Sequence, residues 1–568
     1  MQKLLHFLKP YTKYIVLGPF FKLLEAIFEL IVPAVMANII DIGIANRDTA
    51  YIWRMSILIV ILGICGLGFA LTCQYFASKC AFAYGSDLRG AMFRHISTLS
   101  RTELDRLGSS TLINRITNDV TASQQGVNMA IRLGTRAPFL VIGAIVMTLL
   151  IDWQLSLVFL VIAPILGFVL YMVLTRTIPM YTQNQQKLDV IARHTGEDLD
   201  GVRVIRAFSK QKQETAQFAD ECADLERSMI AAGRVSAILN PATFLIMNLG
   251  IAAVLWFGGI QIDAGRLSQG DLYAFTNYMT QILLAGVQLA NLIQILTKAQ
   301  ASSLRAAEVL EAENSMPNGT EVPGDDPEAI RFDHVTFSYA DAGHPALEDI
   351  SFRLCKGQTL GIIGGTGSGK STLASLIMRA YDATEGKVSA FGKDVKVYDL
   401  NALNRAIGYV PQKMLLFTGT IEENLRWADE NATPQELRTA LEIAQASEFV
   451  DKLQYGIQTR LVQGGRNLSG GQKQRLTIAR ALAAKPAMLV LDDSMSALDY
   501  ATDAALREAL RARCRQMTKV IISQRATSLQ DADLILVMDD GKCVGQGTHE
   551  ELLKTCDVYR EIYESQNR

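Results

Sequence analysis

Apolar residues fall unevenly along the chain. Four runs, Met55 to Ser78, Trp153 to Thr175, Val235 to Ile262 and Leu272 to Thr297, contain no Asp, Glu, Lys or Arg, and each is longer than the ~20 residues a helix needs to cross a hydrocarbon core. Ala137 to Ile151 is shorter, but the weakly polar residues from 130 onward complete it. The first span, near Tyr14 to Ile40, holds Lys22, Glu25 and Glu29. Charges are costly in lipid, so these three are expected to face the bundle, to pair with one another at their three- and four-residue spacings, or to border a water-filled cavity. A neutralising cluster is the plainer reading, and a substrate-facing role the sharper one. The pattern thus predicts six spans, near 14–40, 55–78, 130–151, 153–175, 235–262 and 272–297.

The connections alternate in length. Those after spans 1, 3 and 5 are short; those after spans 2 and 4, counted up to the uncharged runs at Ala137 and Val235, run to about 58 residues and carry most of the Lys and Arg of the first 311 residues, which places them and the N-terminus in the cytoplasm. As helical hairpins they would reach roughly 40 Å beyond the membrane at about 1.5 Å per residue, far enough to touch a cytoplasmic domain. Their tips are expected near Arg101 to Gly108 and near Glu197 to Ile205. Pro33, Pro164 and Pro241 read as kinks within spans.

Residues 1–311 therefore form an all-α transmembrane domain. The segment AENSMPNGTEVPGDDPEA, 312–329, breaks helical periodicity with Pro, Gly and acid and reads as a linker; its Asn318 sequon lies on the cytoplasmic side and is discounted. From 330 to 568 short β-rich runs alternate with helical stretches, the pattern of an α/β domain with a largely parallel sheet.

The composition agrees with a membrane half and a soluble half: 568 residues exceed one core, hydrophobic residues make up 49%, and the net charge of −2 gives no footing for nucleic acid. Eight cysteines without metal-ligand spacing read as free thiols. The basic start MQKLLHFLKPYTK lacks a cleavage site and reads as an amphipathic lead-in rather than a signal peptide.

GGTGSGKS, Gly364 to Ser371, follows the apolar strand TLGII and opens the apolar stretch STLASLIM, the strand, loop and helix context of a phosphate-binding loop. Gly364, Gly365, Thr366, Gly367, Ser368, Gly369, Lys370, Ser371 and Thr372 are the candidate nucleotide ligands. Backbone amides and a helix N-terminus cradle phosphate, Lys370 reaches the β and γ oxygens, and the Ser371 hydroxyl suits magnesium.

Tyr339 in VTFSYA, Gln412 in YVPQKMLLFTGTIEENL, LSGGQ at Leu468 to Gln472 and MLVLD ending at Asp492 occur in the order found in ABC transporter nucleotide-binding domains. With six spans ahead of them, the whole chain resembles an ABC half-transporter of the exporter type. The resemblance implies a six-helix transmembrane domain with long intracellular hairpins, followed by an α/β P-loop ABC nucleotide-binding domain that uses ATP and Mg2+. It implies that Tyr339 stacks on adenine, that Asp492, Ser371 and Gln412 hold magnesium, and that Ser469, Gly470, Gly471 and Gln472 meet the γ-phosphate bound on the other subunit.

Three positions depart from that pattern, two of them in the nucleotide pocket. Asp493 stands where the family usually places the Glu that polarises water, and a displacement of about 1 Å costs on the order of a hundredfold in rate. Gln524 stands where the family has His, and a neutral amide can bridge but not take up a proton. Gln463 replaces a frequent Glu in VQGGRN. The signature is intact. The chain thus resembles the degenerate-site subunit of a heterodimeric bacterial multidrug exporter, and the expected partner is a homologous half-transporter with its own Glu and His. The expected setting is a bacterial inner or plasma membrane, with both the N-terminus and the nucleotide domain cytoplasmic. The expected cargo is a hydrophobic or amphiphilic small molecule such as a drug or lipid. Import of a metal chelate on the same fold and a homodimeric exporter are the alternatives; action on nucleic acid is disfavoured by the six spans.

Overall fold

The computed structural model describes residues 2–340 and 342–566. It divides into two compact units, one comprising the chain up to Ser97 together with Ser109–Ala312, the other Thr98–Gly108 together with the chain from Glu313 onward.

The first unit is helical: α1 (Thr12–Asn38), α2 (Thr49–Ile96), α3 (Arg101–Leu107, assigned to the second unit), α4 (Ser109–Asn114), α5 (Val120–Leu133), α6 (Arg136–Ile151), α7 (Trp153–Ala207), α8 (Gln211–Ala237), α9 (Leu239–Asp263) and α10 (Gln269–Leu310). Six stretches among the described residues are long and apolar enough to cross a membrane: Leu4–Ile44, Thr49–Ile96, Ser109–Ile151, Trp153–Ala207, Gln211–Asp263 and Gln269–Leu310. Their inner faces pack Ala26, Leu30, Ala144, Phe159, Val254, Phe275 and Met279, while Trp53, Leu150, Trp153 and Trp256 stay exposed on the outside, as lipid-facing positions should. Asp41 takes the N-terminus of α10, accepting from the Gly270 amide at 2.8 Å. A Cβ at Gly270 would stand 2.3 Å from the Ala37 carbonyl, so α10 approaches α1 only because glycine is there.

The charges in the first span are neutralised in two separate ways. Lys22 pairs with Glu25 at 2.6 Å. Glu29 instead pairs with Arg136 at 2.8 Å, and Arg136 also donates to Gln288 at 2.8 Å. Arg136 lies immediately before the uncharged run of the third span, so this cross-helix partner is invisible to spacing along α1. Proline placement also differs from expectation in one case. The fifth stretch breaks at Ile238, which puts Pro241 in the first turn of α9, where its missing N–H costs nothing. Pro33 and Pro164 lie inside α1 and α7.

The first hairpin reverses through α3 and Gly108, whose φ is 75°. The second reverses at Phe208–Lys210, with Ser209 at φ 55°, beyond Glu197–Ile205, all of which is helical. Gly196 and Gly201 face open space and do not interrupt α7.

The second unit holds a four-stranded antiparallel sheet, order β2-β1-β4-β5, a six-stranded sheet, order β12-β11-β3-β10-β9-β6, and a short pair, β7-β8. The strands are β1 (Glu328–Phe337), β2 (Leu347–Cys355), β3 (Thr359–Gly364), β4 (Glu385–Ala390), β5 (Lys393–Asp394), β6 (Ile407–Val410), β7 (Gly419–Thr420), β8 (Arg460–Leu461), β9 (Met488–Asp492), β10 (Thr518–Ile522), β11 (Leu534–Asp539) and β12 (Lys542–Gly547). Only β12 is antiparallel in the large sheet. MLVLD and TKVII are buried along their whole length, which explains why they read as unbroken apolar runs rather than alternating ones. Within 312–329, Asn318 is held on both sides of its amide, donating to Asp399 and accepting from the Leu400 N–H, each at 2.7 Å. All eight cysteines are free thiols.

Candidate nucleotide-binding site

Four adjacent parallel strands, β3, β10, β9 and β6, end at one edge of the large sheet. The chain leaves β3 into the phosphate loop, β10 into Ser523 and Gln524, β9 into Asp493 and β6 into Gln412. Side chains separated by up to about 160 residues of chain are thereby delivered to one crevice at the carboxyl ends of the strands, where open α/β sheets bind ligands.

The loop enters α11 (Lys370–Ile377) through Gly367 and Gly369, at φ 85° and 94°, a region that only glycine occupies cheaply. At Gly369 a Cβ would also meet the Ala346 carbonyl at 2.7 Å. The Lys370 ammonium folds back onto the loop, donating to the Gly364 carbonyl at 3.0 Å, to Ser368 Oγ at 3.2 Å and to the Gly365 carbonyl. Burial lowers its pKa, and the Asp493 and Asp492 carboxylates oppose that shift.

The Ser371 hydroxyl donates to Asp492 Oδ1 at 2.8 Å. Adjacent oxygens around magnesium, with bonds of about 2.05 Å, stand about 2.9 Å apart, so these two atoms fit one edge of its coordination shell. Tyr409, which the motifs did not flag, donates to the other Asp492 oxygen at 3.3 Å. Burial raises the Asp492 pKa.

Asp493 has φ 45°, and its amide donates to the Ile522 carbonyl at 3.0 Å. Its Oδ2 accepts from Gln412 Nε2 and from Gln524 Nε2, each at 3.4 Å. Gln412 is therefore turned to Asp493 rather than to the Ser371–Asp492 pair. Burial, and then the neighbouring Asp492 charge, raise the pKa of Asp493. Asp493, Gln524, Arg525, Ser496 and Tyr500 line an open cleft of about 710 Å³.

Tyr339 is 38% exposed. Its ring is held edge-on by Phe337 and Tyr381, at 4.9 and 5.4 Å between centroids, and its hydroxyl lies 3.0 Å from Thr372 Oγ1. Tyr381, also unflagged, donates to Asp105 of α3. Burial and that carboxylate push its pKa up to about 12.

The signature sits apart. Ser469 caps the helix Gly470–Ala483: its hydroxyl accepts from the Gln472 amide at 3.3 Å while Gln472 Oε1 accepts from the Ser469 amide at 2.9 Å. Gln472 is thus spent on the cap, leaving Ser469 and Gly470 exposed at the helix start. Among the described residues no hydrogen bond or ion pair joins the signature to the phosphate loop of the same chain. Gln463 is exposed beside Gly464 and Gly465, at φ 67° and 61°.

Comparison with known proteins accounts for both units. Residues 15–285 match the ABC transporter transmembrane region, and residues 347–496 match the ABC transporter domain. An uncharacterized ABC transporter ATP-binding protein of Mycobacterium tuberculosis is 39% identical, over 99% of this chain and 97% of its own length. A probable multidrug resistance ABC transporter ATP-binding/permease protein of Bacillus subtilis is 31% identical, over 100% and 97%. An ATP-dependent lipid A-core flippase of Chromobacterium violaceum is 30% identical, over 100% and 97%. A bacterial Atm1-family ABC exporter with ATP bound superposes with a TM-score of 0.83 at 23% identity, covering 98% of both chains, and shares the fold. The chain belongs to the ABC transporter family. It has half-transporter architecture, one six-helix transmembrane domain followed by one α/β nucleotide-binding domain, and is an integral, multi-pass membrane protein. Its ABC domain is that of an ATP-hydrolysing transporter.

Proposed function

We propose that this chain is one subunit of a heterodimeric ABC exporter of amphiphilic small molecules, and that its own phosphate loop retains ATP while its signature completes the hydrolysing site of a homologous partner. The observation that carries the reading is the double amide contact on Asp493. The short carboxylate is engaged by two neutral donors, Gln412 and Gln524, at 3.4 Å, and no imidazole stands at the end of β10 to hold a γ-phosphate and a water in register. A general base needs both reach and a free acceptor; Asp493 is short of the first, and its Oδ2 is shared.

Binding asks for less, and the binding parts are in place. Lys370 exchanges loop carbonyls for phosphate oxygens, glycine amides and the α11 N-terminus take the remaining charge, and Tyr339 offers an aromatic face to the base. Ser371 and Asp492 would hold magnesium, which neutralises the β- and γ-phosphate oxygens when bound. Ser469 and Gly470, exposed at a capped helix start, suit a phosphate presented by another subunit. ATP at both composite sites would draw two nucleotide domains together, the hairpins would convey closure to twelve helices, and hydrolysis at the partner's loop would reset them.

The names of two relatives, a lipid A-core flippase and a probable multidrug resistance protein, support an amphiphilic cargo exported rather than imported. The test is to purify the chain alone and with its homologous neighbour. Asp493→Ala should leave the ATPase rate of the complex nearly unchanged, whereas changing the partner's glutamate should nearly abolish it. The reverse, or brisk Asp493-dependent turnover by the chain alone, overturns the reading.

A further inference from the structure

Near the end of the second hairpin, α7 and α8 bring three carboxylates around one imidazole. His194 Nδ1 lies 3.1 Å from Glu221 Oε2. On the other side of the ring, Nε2 lies 3.4 Å from Glu214 Oε2 and 3.8 Å from Asp198 Oδ1. The His194 side chain is 12% exposed and the three carboxylates 24–30%. We propose that this cluster is a binding site for one first-row divalent cation of the zinc class, ligated by His194 Nε2 and by the Asp198 and Glu214 carboxylates.

The distances separate the two nitrogens. The Glu221 contact is the shorter of the two hydrogen-bond-length contacts; in the tautomer that donates Nδ1–H to it, the lone pair of Nε2 is directed at Asp198 and Glu214. A carboxylate behind a ligating histidine is the usual support of such a site. The contacts at Nε2 are too long for strong ion pairs, which close to about 2.8 Å, but they suit a shared metal. Bonds of about 2.05 Å to nitrogen and oxygen in a tetrahedron put neighbouring ligand atoms about 3.3 Å apart. The three atoms lie within 4.8 Å of one another, so the widest pair closes to that spacing by about 1.5 Å at most, within the reach of carboxylate rotation, and water supplies the fourth ligand.

The scaffold supplies the spacing. His194 and Asp198 are one turn apart on α7, and Glu214 lies in the first turn of α8, just past the reversal at Phe208–Lys210. Charge points the same way. Among the described residues no lysine or arginine pairs with Asp198, Glu214 or Glu221, whereas the neighbouring Asp224 is neutralised by Lys187 at 2.7 Å. Three carboxylates about one histidine leave a negative excess that a dication removes. Imidazole among the ligands selects zinc, nickel or cobalt over magnesium and calcium. Bound metal would bridge two helices beside the reversal and stiffen the hairpin end.

The test uses the full-length protein, its affinity tag cleaved, stripped with chelator and free of nucleotide. Zn2+ titration by calorimetry is paired with the visible absorption of Co2+, whose intensity reports an imidazole-containing, low-coordinate shell. The expected result is one site per chain that is lost in His194→Ala and in Asp198→Asn/Glu214→Gln, with affinity falling about ten- to a hundredfold in Glu221→Gln. The isosteric Asp198→Asn/Glu214→Gln pair keeps every shape, and ATP binding by each variant confirms its fold. Equal Zn2+ stoichiometry and affinity in wild type and both ligand variants overturns the site. So does a wild type that takes up no Co2+ into an imidazole-containing shell, which would make the cluster only a protonated histidine among carboxylates.

Discussion

Gln524 Nε2 stands 3.4 Å from Asp493 Oδ2, so two of the three positions at which this chain differs from its family's usual pattern face each other across the ends of β10 and β9. Their effects should therefore be coupled rather than additive. Asp493→Glu restores reach, Gln524→His restores a group that can hold both phosphate and base, and neither gain is complete without the other. In the heterodimer proposed above, with the partner's site disabled, Asp493→Glu should raise ATPase activity by roughly tenfold, Gln524→His by less, and the double variant by on the order of a hundredfold. A double variant no faster than Asp493→Glu alone would show that Gln524 does not limit this site.

Tyr339 combines an exposed ring with a hydroxyl held by Thr372, and the two features can be separated. Stacking of a base on an aromatic ring contributes about 1–3 kcal/mol, so Tyr339→Ala should weaken ATP binding by about tenfold or more. Tyr339→Phe keeps the face and loses only the hydrogen bond, and should stay within about threefold of wild type. Equilibrium binding of a fluorescent ATP analogue distinguishes them; equal losses would mean that the hydroxyl, not the ring, serves the nucleotide.

In the membrane unit, Asp119 is buried and accepts from Arg305 Nε at 2.9 Å and from the Arg305 Nη2. Removing one partner of such a pair strands a buried charge, whereas removing both does not. Arg305→Ala should cost about 3 kcal/mol, toward the lower end because Arg305 is half exposed. Arg305→Ala/Asp119→Asn should recover part of that loss. Heat-induced unfolding of the detergent-solubilised chain reads the order; a double variant less stable than the single one would contradict it.

The elements that sequence conveys well here are those whose signal is local. Uncharged runs longer than the bilayer requires mark four spans outright, and the phosphate loop and signature are short motifs whose glycines and caps act within a few residues. Relationships set by strand order or by helix contact are not local. Asp493, Gln524 and Gln412 follow β9, β10 and β6, and only the adjacency of those strands puts two amides on one carboxylate oxygen. Glu29 finds Arg136 across the bundle because α1 and α6 pack together, while on its own helix Lys22 is taken by Glu25. The second reversal lies past Ile205 because the polar end of α7 continues the helix of the fourth span without a break, and the glycines at 196 and 201 weaken it without ending it. Tyr409 and Tyr381 look like strand and loop aromatics until the structure shows their hydroxyls on Asp492 and Asp105.

The paired carboxylates also give the nucleotide-binding unit an unusual pH response. The Asp493 pKa is raised above its ordinary value of 3.8, first by burial and then by Asp492, so the folded, nucleotide-free protein binds more protons than the unfolded chain just above that value. Stability from this group is therefore present at low pH and lost as pH rises from the ordinary aspartate value through the raised one, the opposite of a carboxylate held by a cation. Asp493→Asn removes that dependence while keeping the side chain's size. Between about pH 4 and about pH 6, the unfolding midpoint of wild type minus that of Asp493→Asn should move downward as pH rises. A difference that stays flat or climbs over that range would mean that Gln412 and Gln524, the two donors on Asp493, stabilise its charge more than burial and Asp492 oppose it.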